Sequence, residues 1–317
     1  MNNVNYLVVS STIDYSSDLI CYELERRGKS YLRINRDHFA EYEILHSLKA
    51  DCLNIKMGHI AYKVTSDTLK SVYFRAPVFL RTGKTYSLQE QLYLSQWSAF
   101  IRNLIVFDKT KWVNHPVATY RAENKLYQLK CAKSLGLTVP TTYIGNSLPA
   151  DIKREYTYIV KSLDTSLFYD NGQEMFTYST MVTGEELLNA EIKSAPVIIQ
   201  DCLHNKTDLR VTVIADELFA VSITKKGRKI EGDWRQKAKE ELTYQRVDLP
   251  PKIHRQILDL MRFLGLEFGG IDFALVDGTF YFIEVNPTGE WGWLVSVSDL
   301  PIDKAIVNSL VMETQYD

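Results

Sequence analysis

The sequence predicts an α/β (α+β) protein built from more than one domain, and three observations predict it. The chain has 317 residues, beyond the size at which a single hydrophobic core stops growing. Its opening segment alternates strand-like and helical patterns, VNYLVVS, then SSDLICYELERRG, then SYLRIN, which is the order of a βαβ unit. From Val197 onward the pattern turns mostly to strands, with one helical segment among them.

Composition narrows the function. Hydrophobic residues make up 45% and charged residues 24%, as in an ordinary globular protein. With 37 Lys and Arg against 39 Asp and Glu the net charge is −2, so no overall field favours nucleic acid or an anionic membrane, and neither is expected as a partner. Cys21, Cys52, Cys131 and Cys202 are widely spaced and form no CxxC pair, which argues against a zinc site or a disulfide framework. The apolar run YLVV near the start is too short for a signal peptide. No stretch approaches the roughly 20 apolar residues of a membrane span. The expected location is the cytoplasm.

Taken in order, the helical pattern after the first strand ends at Gly28, and further strands are expected at CLNIKM, HIAYKV and SVYFRAPVFL. SLQEQLYLSQWSAFIRNLIVF carries apolar residues at helical spacing and closes a first domain, residues 1–113. Pro116 and Pro140 bracket a second helical pattern, ATYRAENKLYQLKCAKSLG, ending at Gly136. Strands at TTYIG and TYIVKSL follow, in a second unit at 114–195. The third unit, 196–317, holds PVIIQDCL, DLRVTVIAD, ELFAVSITKK, a helix at KIHRQILDLMRFLG, the pair FGGIDFALV and TFYFIEVNP, and a terminal helix at DKAIVNSLVMETQ.

The most informative stretch is GGIDFALVDGTFYFIEVNPTGEWGW. Residues two apart in a strand share a face, so Glu284 and Asn286 point to one side. Asp272 joins them only if it stands opposite Glu284. A two-residue turn at Asp277 and Gly278 would set Asp272 opposite Ile283, whereas a three-residue loop or a single bulge sets it opposite Glu284; the latter is expected. Two carboxylates and an amide oxygen converging on an apolar sheet call for a hard cation such as Mg²⁺. An ordinary surface hairpin accounts equally well for the stretch by itself.

Lys161 lies within the apolar run TYIVKSL, where its ammonium must snorkel to water or meet an anion. Lys125, in AENKLYQLK, read alone suits a solvated helical face. VIIQDCL ends a strand in backbone groups able to pair with an adenine edge, or simply ends a strand. Arg210 in KTDLRVTVI can hold a carboxylate or acyl phosphate by two parallel hydrogen bonds, or pair with Asp208. The mixed-charge run KKGRKIEGDWRQKAKEE reads as an exposed loop, and its Lys225, Lys226, Arg228 and Lys229 suit either an acidic peptide or solvent. GKT at 83–85 lacks the earlier glycine of a P-loop, since Val78 stands in its place, and the six histidines show no ligand spacing.

The order Lys125, LGLTVP, IVKS, IIQDCL, DLRVTVI, IDF, FIEVNPTGEWGW resembles the ATP-grasp superfamily, over roughly residues 115–295. Within it the chain looks most like the microviridin-type peptide ligases that mature graspetides, relatives of the RimK-like ligases. NPTGEWGW is close to the NPSGQW ending of that group, and DWR at 233–235 is shared with it. The resemblance implies an ATP-grasp fold, with an N-terminal pre-ATP-grasp domain ahead of central and C-terminal ATP-grasp units. It implies ATP held by Lys125, Lys161, Gln200, Asp201 and Leu203, two Mg²⁺ held by Asp272, Glu284 and Asn286, and catalytic roles for Arg210 and Arg235. The substrate it implies is a ribosomal precursor peptide with a leader, whose Asp or Glu side chains are joined to Thr or Ser as esters or to Lys as amides. A homodimer is implied as well. SLDTSLFYDNGQEMF stands where many ATP-grasp enzymes carry a glycine-rich phosphate loop. The rival expectations are a RimK-like ligase that adds an amino acid to a carboxylate, and an ATP-binding regulatory protein without turnover.

Overall fold

The computed structural model describes residues 2–75, 86–163, 167–170, 173–176 and 178–312. Tyr6–Ser10, Tyr31–Asn35, Ser71–Phe74 and Lys111–Val113 form a wholly parallel sheet with Tyr6–Ser10 and Ser71–Phe74 at its centre. All five residues of Tyr6–Ser10 are buried, as a parallel strand covered on both faces requires. The helix Tyr15–Arg26 makes the crossover, capped at its start by the Asp14 carboxylate and stopped by Gly28 at φ +63°. A second sheet, mostly antiparallel, holds the expected strands Cys52–Met57 and Ile60–Thr65 and an additional one at Tyr42–Ser47. The helix Leu88–Asn103 opens with a Ser87–Glu90 capping box. The expected strand residues 76–80, the GKT at 83–85 and the terminal-helix residues 313–315 lie outside the described residues.

The helical pattern between the two prolines is two helices, Pro116–Ala122 and Lys125–Ser134, rather than one. Asn124 breaks it: its backbone is extended, and its side-chain amide turns back to donate to the Tyr120 and Arg121 carbonyls of the first helix. The second helix therefore starts in a new direction at Lys125.

An antiparallel sheet follows in the order Thr180–Thr183, Thr157–Lys161, Val197–Asp201, Thr142–Gly145. Val197–Asp201 belongs to this sheet, and the next sheet begins at Thr207. Leu167–Asp170 and Gln173–Phe176 pair antiparallel. The last sheet has five antiparallel strands in the order Leu242–Arg246, Glu217–Lys225, Thr207–Ile214, Phe268–Val276, Thr279–Asn286. Against its outer face packs Pro251–Leu264, an amphipathic helix that buries Ile257, Leu260, Met261 and Leu264, each stabilising by about 1.5–3 kcal/mol. Gly265, at φ +72°, ends it.

The helices Gly292–Ser298 and Ile302–Val311 carry the chain back to the N-terminal sheet, where Ile302–Val311 packs on Tyr15–Arg26. Trp291, Leu294 and Ile306 join Tyr6, Val8 and Ile20 in one core. No helix among the described residues is long and apolar enough to cross a membrane.

Candidate active site

Phe268–Val276 and Thr279–Asn286 are joined by a two-residue turn, Asp277 and Gly278, with Val276 opposite Thr279. Unbroken, that register would put Asp272 against Ile283. A bulge intervenes: Phe273 pairs with Phe282 but Asp272 pairs with Glu284, leaving Ile283 as the extra residue. Asp272 and Glu284 therefore stand side by side on one face, both buried. Asn286, two residues on, shares that face, and its Nδ2 donates to Glu284 Oε1 at 3.3 Å.

Four cations converge on this pair. Arg210 is directly opposite Asp272 on the neighbouring strand and donates from Nη1 to its Oδ1 at 2.8 Å. The guanidinium lies flat over bare backbone. A Cβ on Gly270 would come within 3.0 Å of Arg210 Cζ, and one on Gly289 within 3.1 Å of Nη2. Arg210 Nη2 donates to the Glu290 carbonyl at 3.3 Å. Arg235, from the short turn Trp234–Gln236, bridges the two acids, with Nη2 2.6 Å from Asp272 Oδ2 and 3.1 Å from Glu284 Oε1. Lys125 Nζ reaches Glu284 Oε2 at 2.5 Å.

The aim of Lys125 is set one turn along its helix. Gln128, buried, donates from Nε2 to the Val285 carbonyl at 2.8 Å and accepts from the Val285 N–H at 3.0 Å. Residues three apart share a helix face, so fixing Gln128 on Val285 brings Lys125 to Glu284.

Lys161 ends its strand half-buried in the same field. Burial pushes its ammonium pKa down, helped by Lys125 and Arg235, while Glu284 and Asp272 pull it up. For Glu284 burial acts to raise the carboxyl pKa, but Lys125, Arg235 and Lys161 outweigh it and hold the group well below the usual carboxylate range.

Lys161, Asp272 and Arg235 line an open cleft between the last two sheets, and Gln200, Asp201 and Leu203 line it as well. The Gln200 side chain is buried and donates to Thr142 Oγ1 on the neighbouring strand at 2.8 Å. Asp208 and Lys206 also line it, paired at 2.5 Å, and burial raises the Asp208 carboxyl to about 6.

No family model and no curated protein sequence matches the chain. Solved structures do. The macrocyclase MdnC of Microcystis aeruginosa, bound with precursor peptide MdnA, superposes with a TM-score of 0.82 at 26% identity, over 97% of this chain and 99% of that one. A RiPP-associated ATP-grasp ligase of Chryseobacterium gregarium, in complex with ADP and a leader and core peptide, gives 0.80 at 21% identity, over 98% and 96%. The macrocyclase MdnB of Microcystis aeruginosa gives 0.75 at 24% identity, over 98% and 100%. The fold is ATP-grasp.

In this ATP-grasp chain Lys161, Gln200, Asp201, Leu203, Arg235 and Asp272 line the cleft, and Lys125, Arg210, Glu284 and Asn286 belong to the carboxylate cluster beside it, whereas Lys225 and Lys226 pair with Glu241 away from it. Among the described residues no three His, Cys, Asp or Glu side chains gather as a metal site. The run 225–241 is a loop, as expected, but its exposure is incomplete, because Asp233, Trp234 and Arg235 turn inward.

Sequence reasoning missed Gln128 and Asn114. Asn114 is buried, donates to the Phe268 and Pro287 carbonyls at 2.8 Å, and accepts from the Glu267 and Phe268 N–H groups. It ties both site strands to the end of the first sheet. Only their places beside Lys125 and Pro116 marked these residues in the sequence.

Proposed function

We propose that this chain is an ATP-dependent ligase that activates Asp or Glu side-chain carboxylates of a ribosomal precursor peptide and joins them to Thr or Ser as ω-esters, or to Lys as ω-amides. The observation that carries this reading is the meeting of Asp272 and Glu284 with Arg210, Arg235, Lys125 and Lys161 beside the cleft. The similarity to MdnC over nearly the whole of both chains supports the peptide substrate.

A carboxylate's own leaving group is too basic to depart. In the proposed reaction its oxygen attacks the γ-phosphorus of ATP and ADP leaves; the acceptor oxygen or nitrogen then attacks the acyl carbon and phosphate departs. The protein's part is positioning and charge. The segment of Gln200, Asp201 and Leu203, where the strand ends, would hold the adenine, and Lys161 and Lys125 would neutralise phosphate oxygens. Arg210, pressed on the Gly270 backbone, would hold the transferred phosphoryl group, with Arg235 opposite it.

Asp272, Glu284 and Asn286 would hold Mg²⁺. The donor set fits, since the space between the two carboxylates already accommodates a shared positive group, the Arg235 Nη2. Bound there, Mg²⁺ supplies charge neutralisation to the phosphates. We further propose that the chain works in the cytoplasm as a homodimer, for which the exposed Leu88, Leu92 and Tyr93 of one helix offer apolar surface.

The test is to find a short reading frame beside the gene that encodes Thr or Ser together with Asp or Glu, incubate the protein with ATP, Mg²⁺ and that peptide, made with its leader, and weigh the product. The expected product has lost one water per bond, with ADP released. A gain in mass would instead support amino-acid addition. An unchanged peptide without ADP would remove the reading.

A further inference from the structure

Arg75 lies just past the parallel strand Ser71–Phe74 and is buried, yet none of the proposed chemistry uses it. Its Nε donates to Asp14 Oδ2 at 2.9 Å, which anchors the guanidinium in the N-terminal domain. Its other two nitrogens cross to the loop after Thr279–Asn286. Nη1 donates to the Gly289 carbonyl at 3.3 Å and Nη2 to Glu290 Oε1 at 2.7 Å. Ser16 Oγ holds the other oxygen of Glu290 at 2.9 Å.

That loop is the support on which Arg210 rests. The Glu290 carbonyl accepts from Arg210 Nη2 at 3.3 Å and from Trp293 Nε1 at 3.2 Å, and Gly289 gives Arg210 the room to lie there. The Glu290 carboxylate is 60% exposed, so its pairing with Arg75 adds little to stability. What the pairing fixes is the position of the loop.

We infer that Arg75 is a positioning residue for Arg210: anchored on Asp14, its fork fixes the Gly289–Glu290 backbone, and that backbone sets where the Arg210 guanidinium lies. The inference rests on the reading above, in which Arg210 faces the transferred phosphoryl group. A lysine at 75 keeps the buried charge beside Asp14, but a point donor cannot reach the other two acceptors in the fixed geometry of a fork.

Three variants test it: Arg75→Lys, Glu290→Ala and Glu290→Gln, whose amide oxygen still accepts from Arg75. Each is assayed for phosphate release with the peptide encoded beside the gene and for binding of a fluorescent ATP analogue. Side-chain ¹⁵N NMR of the Arg210 guanidinium adds a readout that needs no turnover. Arg75→Lys and Glu290→Ala should slow phosphate release about tenfold with analogue affinity within about twofold of wild type, and Glu290→Gln should recover most of the loss. The Arg210 Nε–H signal should shift in the first two variants and stay in the third. An unmoved signal in Arg75→Lys, parallel losses of rate and nucleotide affinity, or Glu290→Gln as damaging as Glu290→Ala would each overturn the inference. If wild type releases no phosphate, the functional reading fails, and the Arg210 signal alone decides the role of Arg75.

Discussion

Lys125 Nζ lies 2.5 Å from Glu284 Oε2, so the first residue of one helix is tied to the edge strand of the last sheet. With Arg235 and Lys161 close by, Glu284 carries the countercharge for three cations.

Glu284→Gln should therefore stop ADP production, by a factor of at least about 10², while leaving the fold intact. A coupled ADP assay and a circular dichroism spectrum check both halves; full activity would remove Glu284 from the site. Because its folded pKa is depressed, the stability Glu284 contributes is present at neutral pH and lost as the pH falls below the ordinary glutamate range. The variant should flatten that acid limb.

Lys161 is held charged at a cost, since burial lowers its pKa. Lys161→Met should stabilise the nucleotide-free protein by about 1 kcal/mol at neutral pH and weaken nucleotide binding by about tenfold or more. Thermal melts with and without an ATP analogue separate the two effects. Unchanged nucleotide affinity would place Lys161 outside the phosphate site.

Gly270 gives the Arg210 guanidinium its bed. In Gly270→Ala the new methyl group would meet Cζ at 3.0 Å and Nε at 3.2 Å, with the backbone unable to give way inside a sheet. Turnover should fall by about 10-fold to 100-fold with nucleotide affinity little changed. Steady-state kinetics checks the split.

Asp208 has the opposite sign to Glu284. Its carboxyl is raised from 3.8 to about 6 by burial, against the pull of Lys206, so its ionisation opposes folding. The stability it provides is fully present below pH 3.8 and is lost as the pH rises to about 6. Unfolding free energies of Asp208→Asn and wild type from urea melts should diverge across that interval by on the order of 1–3 kcal/mol, the variant becoming the more stable. A difference that stays flat with pH would refute the shift.

How far the site was legible in the sequence depended on whether a residue announced itself within its own segment. Glu284 and Asn286 share a face by strand parity, and the parity of the hairpin demanded a bulge or a longer loop before Asp272 could join them; the chain uses the bulge, at Ile283. Arg235 carried no such signal, because its mixed-charge loop has the composition of a solvated one and only the DWR resemblance marked it. Gln128 and Arg75 act on backbone groups more than 150 residues away, a relation that no local spacing encodes. The helix break at Asn124 was hidden because its side chain serves the helix it ends.

Gln128 also closes something. It takes both the N–H and the carbonyl of Val285, and the Phe282 N–H goes to the Thr138 carbonyl, so the outer margin of the last sheet offers no free row of donors and acceptors along these residues. A polypeptide that docks by adding a strand would find those rungs filled. Any extended guest of this protein has to approach from another side, leaving the margin beside Glu284 reserved for the helix that delivers Lys125.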